Sequence, residues 1–152
     1  MVDKFMAQPV ILRIFGFSEN GSSHKEKIIS AVGGFIGILA VILVSQLFAG
    51  GTSLIPSIGA TAVLLFAAPH GRLAQPWNVA AGHVTSAVIG VTCAIWIPDI
   101  TLAAAAGVGI AIGVMHLMRC IHPPGGATAL VAVVGGEQIR EMGYQFVMMP
   151  VD

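Results

Sequence analysis

Four long segments of the chain carry no Asp, Glu, Lys or Arg, and this limits how the chain can fold more than any other feature. They cover residues 28–71, 73–98, 100–118 and 120–136 of the 152-residue sequence. Because a helix needs roughly 20 apolar residues to cross the hydrocarbon core of a bilayer, these segments have room for several spanning helices. Charged residues make up only 9% of the chain, against about 25% in a typical soluble domain. The sequence therefore predicts an all-α, polytopic helical membrane protein.

Prolines and glycines divide these segments into helices of two lengths. We expect long helices at about 28–49, 77–97 and 101–121, and short ones at 55–69 and 124–134. A short helix of about 13 residues covers only about 20 Å, which is less than the hydrocarbon thickness of about 30 Å. The two short segments are therefore predicted to be half-helices that begin or end inside the membrane.

The chain contains an internal repeat with an offset of 67 residues. This offset places "IPSIGATAVLLF" on "HPPGGATALVAV", so that Pro56 matches Pro123 and Thr61 matches Thr128. The same offset places Trp77 on Tyr144. Each unit has three segments, and an odd number turns the second unit upside down in the membrane. We therefore predict a 3+3 inverted repeat, with repeat A at about 28–97 and repeat B at about 98–152.

Repeat B is incomplete in the sequence. The final run, "YQFVMMPVD" at residues 144–152, looks like the start of another membrane span but has only nine residues. A helix of that length cannot cross the hydrocarbon core. We interpret the last helix as truncated.

The basic residues give an orientation, because Lys and Arg accumulate in short cytoplasmic loops. With the N-terminus inside and each short helix counted as one pass, six of the seven fall on the cytoplasmic side: Lys4, Arg13, Lys25, Lys27, Arg72 and Arg119. Only Arg140 falls outside. We therefore expect residues 1–27 to form a cytoplasmic, partly interfacial segment ahead of a transmembrane domain at 28–152. The expected location is the inner membrane of a bacterium.

The breaks in the short helices predict an anion site. Irregular backbone persists in a membrane only where it is buried in protein or lines a cavity, and a helix N-terminus offers unpaired N–H groups and partial positive charge. Two such N-termini near the bilayer midplane form the substrate site in many inverted-repeat transporters. Arg119 and His122 would adjust its charge. The other candidate binding residues are Gly59, Ala60, Thr61, Gly125, Gly126, Ala127 and Thr128.

Several of these polar residues also have a structural interpretation. The alternative role for His122 is to cap the last carbonyls of the third long helix. The alternative for Arg119 is to extend to the membrane interface. His83 is interpreted as a hydrogen-bonded packing residue. His116 and Cys120 are one helical turn apart, but two ligands without a third do not make a zinc site. The GxxxG-like spacings, such as Gly33 to Gly37, are typical of close helix packing.

The sequence also argues against several classes of function. The formal net charge is zero, so no basic surface for nucleic acid is expected. The spans contain no catalytic triad, no paired carboxylates and no phosphate-binding loop, so we expect no enzyme and no cofactor. Two cysteines in apolar segments indicate neither a disulfide framework nor a CxxC site.

The motifs together resemble the HPP family of small integral membrane proteins. The resemblance rests on "HPPGGATAL", "PSIGATAVLLFAAP", "LAQPWN" and "GYQFVMMPV", and it covers most of residues 28–151. Members in bacteria and plastids are associated with nitrite transport, and this is what the resemblance implies here. Family members typically continue through a last hydrophobic helix, whereas this sequence stops at Asp152.

Three hypotheses follow, and the first is favoured. It is a transporter or channel for a small monovalent anion, with nitrite preferred and nitrate as the alternative, embedded in the lipid bilayer. The second is a non-transporting membrane scaffold that uses glycine-rich packing for assembly. The third is a metal or redox site built on His116, Cys120 and His122. Proton coupling and homo-oligomerisation both stay open at this stage.

Overall fold

The chain is all-α in the computed structural model, which describes residues 22–49 and 56–148. These residues form seven α-helices, a short 3₁₀ helix at Arg72–Ala74 and no strand. The helices are α1 (His24–Ala49), α2 (Pro56–Ala67), α3 (Pro76–Trp96), α4 (Ile100–Leu117), α5 (Pro123–Val134), α6 (Glu137–Met142) and α7 (Gln145–Met148).

Three helices in the described ranges are long and apolar enough to cross a membrane, namely α1, α3 and α4. The two predicted short segments are helical, as α2 and α5. Each has 12 residues, or about 18 Å at 1.5 Å per residue, and each begins with a proline of the 67-residue repeat. The expectation of an all-α membrane protein is confirmed.

Helix α3 is the centre of the fold. It packs against both α4 and α5, while α1 packs mainly against α2, and α2 in turn touches α5. Large apolar side chains on α1, such as Phe35 and Leu47, are exposed. In a membrane protein these side chains face lipid, because hydrocarbon tails are as apolar as the side chains themselves.

Glycines set the distances between helices, as expected where van der Waals packing rather than the hydrophobic effect holds helices together. A Cβ on Gly33 or Gly37 would lie 2.6 or 2.7 Å from the Phe66 ring, so α1 receives this ring in a notch. A Cβ on Gly90 would lie 2.5 Å from the Ala129 carbonyl oxygen. By contrast, Gly109 and Gly113 on α4 face open space within the described residues.

Local signals explain where several helices begin. Asp99 caps α4, since its side chain accepts a hydrogen bond from the Leu102 N–H at 2.7 Å. Ser23 and Glu26 form a capping box at the start of α1, in which each side chain accepts from the other's backbone N–H. Pro76 stands at the first position of α3, where its missing N–H costs nothing.

Helix α4 ends four residues earlier than predicted, at Leu117 rather than at about residue 121. The reason is Arg119, which has a left-handed backbone with φ of 54°. The Cys120 N–H donates to the Met115 carbonyl and the Arg119 N–H donates to the His116 carbonyl, which is the Schellman pattern of helix termination. The buried side chains of Cys120 and Met115 pack together beside it.

Two further differences concern the ends of the predicted regions. The loop predicted at residues 136–143 contains the short helix α6. Helix α1 begins at His24, inside the segment 1–27 that was predicted to precede the membrane domain, and residues 1–21 of that segment lie outside the described ranges. The final run is helical at Gln145–Met148, and its last four residues also lie outside them.

Candidate functional site

The two short helices α2 and α5 touch within their first two turns, and this contact brings three hydroxyl groups together. The Thr128 hydroxyl on α5 donates to the Ser57 hydroxyl on α2, with 2.9 Å between the oxygens. The Thr61 hydroxyl, one turn after Ser57, donates to the Ser57 carbonyl at 2.9 Å. All three side chains are buried. Ser57 therefore connects Thr61 and Thr128, which hold equivalent positions in the repeat.

His83 of α3 connects both half-helices. Its Nε2 atom lies 2.8 Å from the Thr61 hydroxyl oxygen, and its Nδ1 atom lies 2.7 Å from the Thr128 hydroxyl oxygen. The ring is only partly buried. One imidazole therefore bridges the two equivalent threonines of the repeat.

His122 completes the cluster from the N-terminus of α5. Its side chain is fully buried. Its Nδ1 atom lies 2.8 Å from the Leu73 carbonyl oxygen, and its Nε2 atom lies 3.0 Å from the Thr61 hydroxyl oxygen. The His83 and His122 rings meet edge to face, with 4.9 Å between their centroids. We call this group, formed by Ser57, Thr61, His83, His122 and Thr128, the hydroxyl–histidine cluster.

Two glycines allow the cluster to form. A Cβ on Gly82 would lie 2.6 Å from the Cβ of His122, so only a glycine on α3 lets the His122 side chain pass. A Cβ on Gly125 would lie 2.8 Å from both the Gly82 carbonyl oxygen and the Ser86 hydroxyl oxygen. Helices α3 and α5 are thus in backbone contact beside the histidine.

A cavity of about 220 Å³ opens next to the cluster. Ser57, His83 and Thr128 supply its polar wall. The rest of the lining is apolar and comes from Ile58, Val84, Ala87 and Val147. Such a lining, mostly apolar with a few converging polar groups, is typical of a small-molecule site.

Comparison with known proteins identifies the family. Residues 19–152 match the family described as "HPP, transmembrane region". The chain belongs to the HPP family. Its name-giving His122-Pro123-Pro124 triplet lies at the start of α5, where the histidine enters the cluster and the prolines begin the half-helix.

Two transmembrane proteins of Dictyostelium discoideum are similar to this HPP-family chain. One is 42% identical over 102 residues, which are 64% of this chain and 32% of the relative. The other is 39% identical over 124 residues, which are 77% of this chain and 43% of the relative. The chain thus spans less than half the length of these relatives. No solved structure matches it.

The structure brings together three of the nine predicted site residues, namely Thr61, His122 and Thr128. Gly125 is buried and serves the contact between α3 and α5. The remaining small residues of the prediction do not join the cluster's hydrogen bonds. Gly59 and Ala60 are exposed, and Gly126 and Ala127 are half-buried.

Arg119 lies away from the cluster, in contrast to the prediction that it adjusts the charge of the site. Its side chain is exposed, and its backbone terminates α4. His122 does not cap the last carbonyls of α4 either, because its ring nitrogens face Leu73 and Thr61. The physical reason is the left-handed turn at Arg119, which redirects the chain between these two residues.

The first turn of α5 also offers fewer backbone donors than the sequence suggested. Pro123 and Pro124 have no N–H, and the Gly125 N–H already donates to the His122 carbonyl at 2.9 Å. The polar groups that face the cavity are side chains instead.

Sequence reasoning missed Ser57 and assigned His83 to packing. A signal for His83 was available, since an ionisable residue inside a spanning helix is a functional candidate by default. Ser57 gave no comparable signal, because its partner in the repeat is Pro124.

The pair His116 and Cys120 is split, with His116 exposed and Cys120 buried. Residues 22–49 and 56–148 contain no group of three side chains able to hold a metal.

Proposed function

We propose that this HPP-family domain carries a small monovalent anion across the membrane, with nitrite as the preferred substrate and nitrate as the alternative. The observation that supports this most is the cavity at the crossing of the two half-helices. It combines two hydroxyls and an imidazole with an apolar lining, within a family of membrane proteins.

The chemistry of the cavity suits an anion with little hydration. Hydroxyl and imidazole groups can each donate a hydrogen bond, and such bonds are strengthened when the acceptor is charged. A volume of about 220 Å³ compares with roughly 30 Å³ for one water in the liquid. The cavity is therefore large enough for a three-atom or four-atom anion and a few waters.

In this proposal the anion is hydrogen-bonded mainly by side chains, whereas the sequence predicted that backbone N–H groups bind it. The partial positive charge at the start of each half-helix still favours an anion nearby. However, the polar side chains that line the cavity are those of Ser57, His83 and Thr128, and they would exchange hydrogen bonds within the cluster for bonds to the anion. Selectivity then depends on how these three groups are spaced.

The orientation that we propose places the loop of Arg72 and the loop of Arg119 in the cytoplasm of a bacterial cell, with the protein in the inner membrane. Both arginines are exposed. Two hydrogen bonds support the placement of these loops on one side, since Trp77 Nε1 donates to the Met118 carbonyl and His122 contacts the Leu73 carbonyl. Loops that are tied together belong to the same end of the helical bundle.

The test is anion flux into proteoliposomes with a matched pair of variants. Val84 lines the cavity and is half exposed, so Val84→Phe should narrow the cavity without overpacking the core. Val88, one turn along α3, is also exposed and does not line it. We expect Val84→Phe to slow nitrite flux severalfold and Val88→Phe to leave it unchanged. Equal flux in both variants would contradict the assignment of this cavity.

The same assay separates transport from a scaffold function. A non-transporting scaffold predicts that vesicles with and without the protein admit nitrite, nitrate and formate equally. A transporter predicts protein-dependent flux that saturates with at least one of these anions. Saturation matters because diffusion of undissociated acid through lipid does not saturate.

A further inference from the structure

The two buried histidines share one hydroxyl group, and the hydrogen atoms in this arrangement can be counted. The Leu73 carbonyl can only accept, so the Nδ1 atom of His122 carries a hydrogen. If His122 is neutral, its Nε2 atom has none and must accept from Thr61. A neutral His122 therefore requires the Thr61 hydrogen.

Thr61 cannot meet this requirement and keep its other bond. Its hydroxyl has one hydrogen but three close partners, namely the Ser57 carbonyl and the Nε2 atoms of both histidines. The Ser57 carbonyl can only accept, so it competes with His122 for that hydrogen. The Thr128 hydroxyl gives its hydrogen to Ser57, so His83 Nδ1 donates to Thr128 and a neutral His83 also needs the Thr61 hydrogen at Nε2. One additional proton on the pair satisfies both rings, since one Nε2 atom then donates to the Thr61 oxygen and Thr61 donates to the other Nε2 atom.

Thr61 also provides a route for the proton between the rings. Its oxygen lies 2.8 Å from one Nε2 atom and 3.0 Å from the other. It can accept a proton from one ring while giving its own hydrogen to the second, with no movement of heavy atoms. A proton taken up at His83, beside the cavity, can in this way be held at the fully buried His122.

From this geometry we infer that the two histidines take up one proton together with each anion, so that the domain is an electroneutral proton–anion cotransporter. The inference rests on the proposed function and adds its coupling ion. The proton comes from water on the side where the anion binds and returns to water with the anion on the other side. Uptake of the proton lowers the electrostatic cost of moving the anion through the membrane, because an unpaired charge there is unfavourable.

The surroundings of the rings leave few other counter-charges for the anion. Helices α2, α5 and α7 contain no titratable side chain at all. The only one on α4 is His116, which is exposed, and the charged side chains of α1 and α6 are exposed too. Helix α3 adds only Cys93. The 3₁₀ helix adds Arg72, whose side chain is exposed, and it faces His122 with the Leu73 carbonyl. Within the part of the chain that the structure describes, each ring's titratable neighbour is therefore the other ring.

The experiment compares two driving forces in proteoliposomes of the full chain that enclose a pH-sensitive dye. Nitrate is used alongside nitrite, because undissociated nitrous acid crosses lipid unaided, and the signal of protein-free vesicles is subtracted. At zero membrane potential, an inward proton gradient should drive anion accumulation with one proton per anion. A membrane potential without a pH gradient should drive none.

Three variants connect the coupling to the histidines. His122→Gln and His83→Gln keep a polar side chain but cannot hold the proton, so proton uptake should fall to the level of protein-free vesicles. His116→Gln is the matched control on an exposed histidine and should couple as the wild type does. The glutamine variants are compared with the wild type at equal Tm and equal elution in size-exclusion chromatography, so that a loss of coupling is not a loss of fold.

The outcomes distinguish this inference from the function on which it rests. Protein-dependent flux that follows the membrane potential and ignores the pH gradient would overturn the coupling alone. Full coupling in well-folded His122→Gln and His83→Gln variants would overturn it as well. Absence of any protein-dependent flux would overturn the proposed function, and the coupling with it.

Discussion

Thr61 and Thr128 hold the same position in the two short helices, and the hydroxyl oxygen of each lies within hydrogen-bonding distance of the backbone carbonyl oxygen four residues earlier. The oxygen–oxygen distances are 2.9 Å to Ser57 and 3.3 Å to Pro124. Both threonines also contact the same ring, His83, through its two nitrogens. The two halves of the repeat thus converge on one imidazole, while His122 enters from one half only.

The first prediction concerns the Thr61 hydroxyl, which three groups share. Thr61→Val removes the hydroxyl at nearly constant shape and leaves the buried His122 nitrogen without its partner. The loss of such a hydrogen bond costs about 1–3 kcal/mol, and 1.4 kcal/mol corresponds to about tenfold in an equilibrium. We therefore expect a lower Tm in detergent, and a severalfold slower initial rate of nitrite uptake by proteoliposomes at equal amounts of folded protein.

Thr61→Ser is the control for this change, because serine keeps the hydroxyl and loses only a methyl group. Its uptake rate should stay close to that of the wild type. If Thr61→Val transports as fast as Thr61→Ser, with both proteins folded to the same extent, the shared hydroxyl has no part in transport.

The second prediction concerns the contact between α3 and α5. A Cβ on Gly82 would lie 2.6 Å from the His122 Cβ and 3.2 Å from the Cys120 carbonyl oxygen, and neither atom is the flexible end of a side chain. Overpacking of this kind costs about 1–3 kcal/mol. We expect Gly82→Ala to lower the Tm of the protein in detergent and to slow anion flux, because it displaces His122.

Gly109→Ala provides the comparison within a spanning helix. Gly109 is exposed, and a Cβ there meets nothing within 4 Å. Alanine is a better helix former than glycine by about 1 kcal/mol, so the Tm should stay the same or rise. A Gly82→Ala protein as stable and as active as Gly109→Ala would show that the two helices are not in tight contact beside the cluster.

The third prediction concerns Arg119, which has a positive φ of 54°. A non-glycine residue in this left-handed conformation destabilises the folded state by about 1 kcal/mol or more. Glycine is the usual residue at this position of a Schellman motif. Arg119→Gly should therefore raise the Tm in a thermal unfolding experiment. Because the side chain is exposed and does not line the cavity, nitrite flux should not change. A strong loss of flux in this variant would instead support the anion-binding role that the sequence suggested.

Much of the fold could be predicted from the sequence, because charge-free length and proline position are local signals. The prolines at 56 and 123 begin α2 and α5 as the spacing indicated. The end of α4 was missed because arginine is an unusual residue in a left-handed turn. The sequence predicted the length of a repeat unit, but it did not predict the left-handed conformation of Arg119.

The site was harder to predict, because it depends on contacts between residues far apart in the chain. Thr61 and Thr128 were found through the repeat, and His122 through its unusual setting among prolines. His83 has no equivalent in the other half, since residue 150 is a proline. Its importance comes from the crossing of two half-helices against α3, which no local pattern encodes.

The fourth prediction concerns the orientation of the loops. Arg72 and Arg119 are exposed at an end of the bundle where hydrogen bonds tie the two loops together, while Asp99 is exposed at the junction of α3 and α4. Helix α3 has 21 residues, or about 30 Å, which is long enough for its two ends to lie on opposite sides of a membrane. Cysteine at 72 or 119 should react with a membrane-impermeant maleimide only from the cytoplasmic side, and cysteine at 99 only from the other.

The chain suits this labelling experiment because Cys93 and Cys120 are both buried. The protein without added cysteines should therefore give a low background, and labelling after detergent lysis gives the maximum for each site. The six-segment arrangement with cytoplasmic arginines requires positions 72 and 119 to react from inside. Reaction of both from outside would mean that the half-helices dip into the membrane and return, since that count of passes reverses the side of both loops.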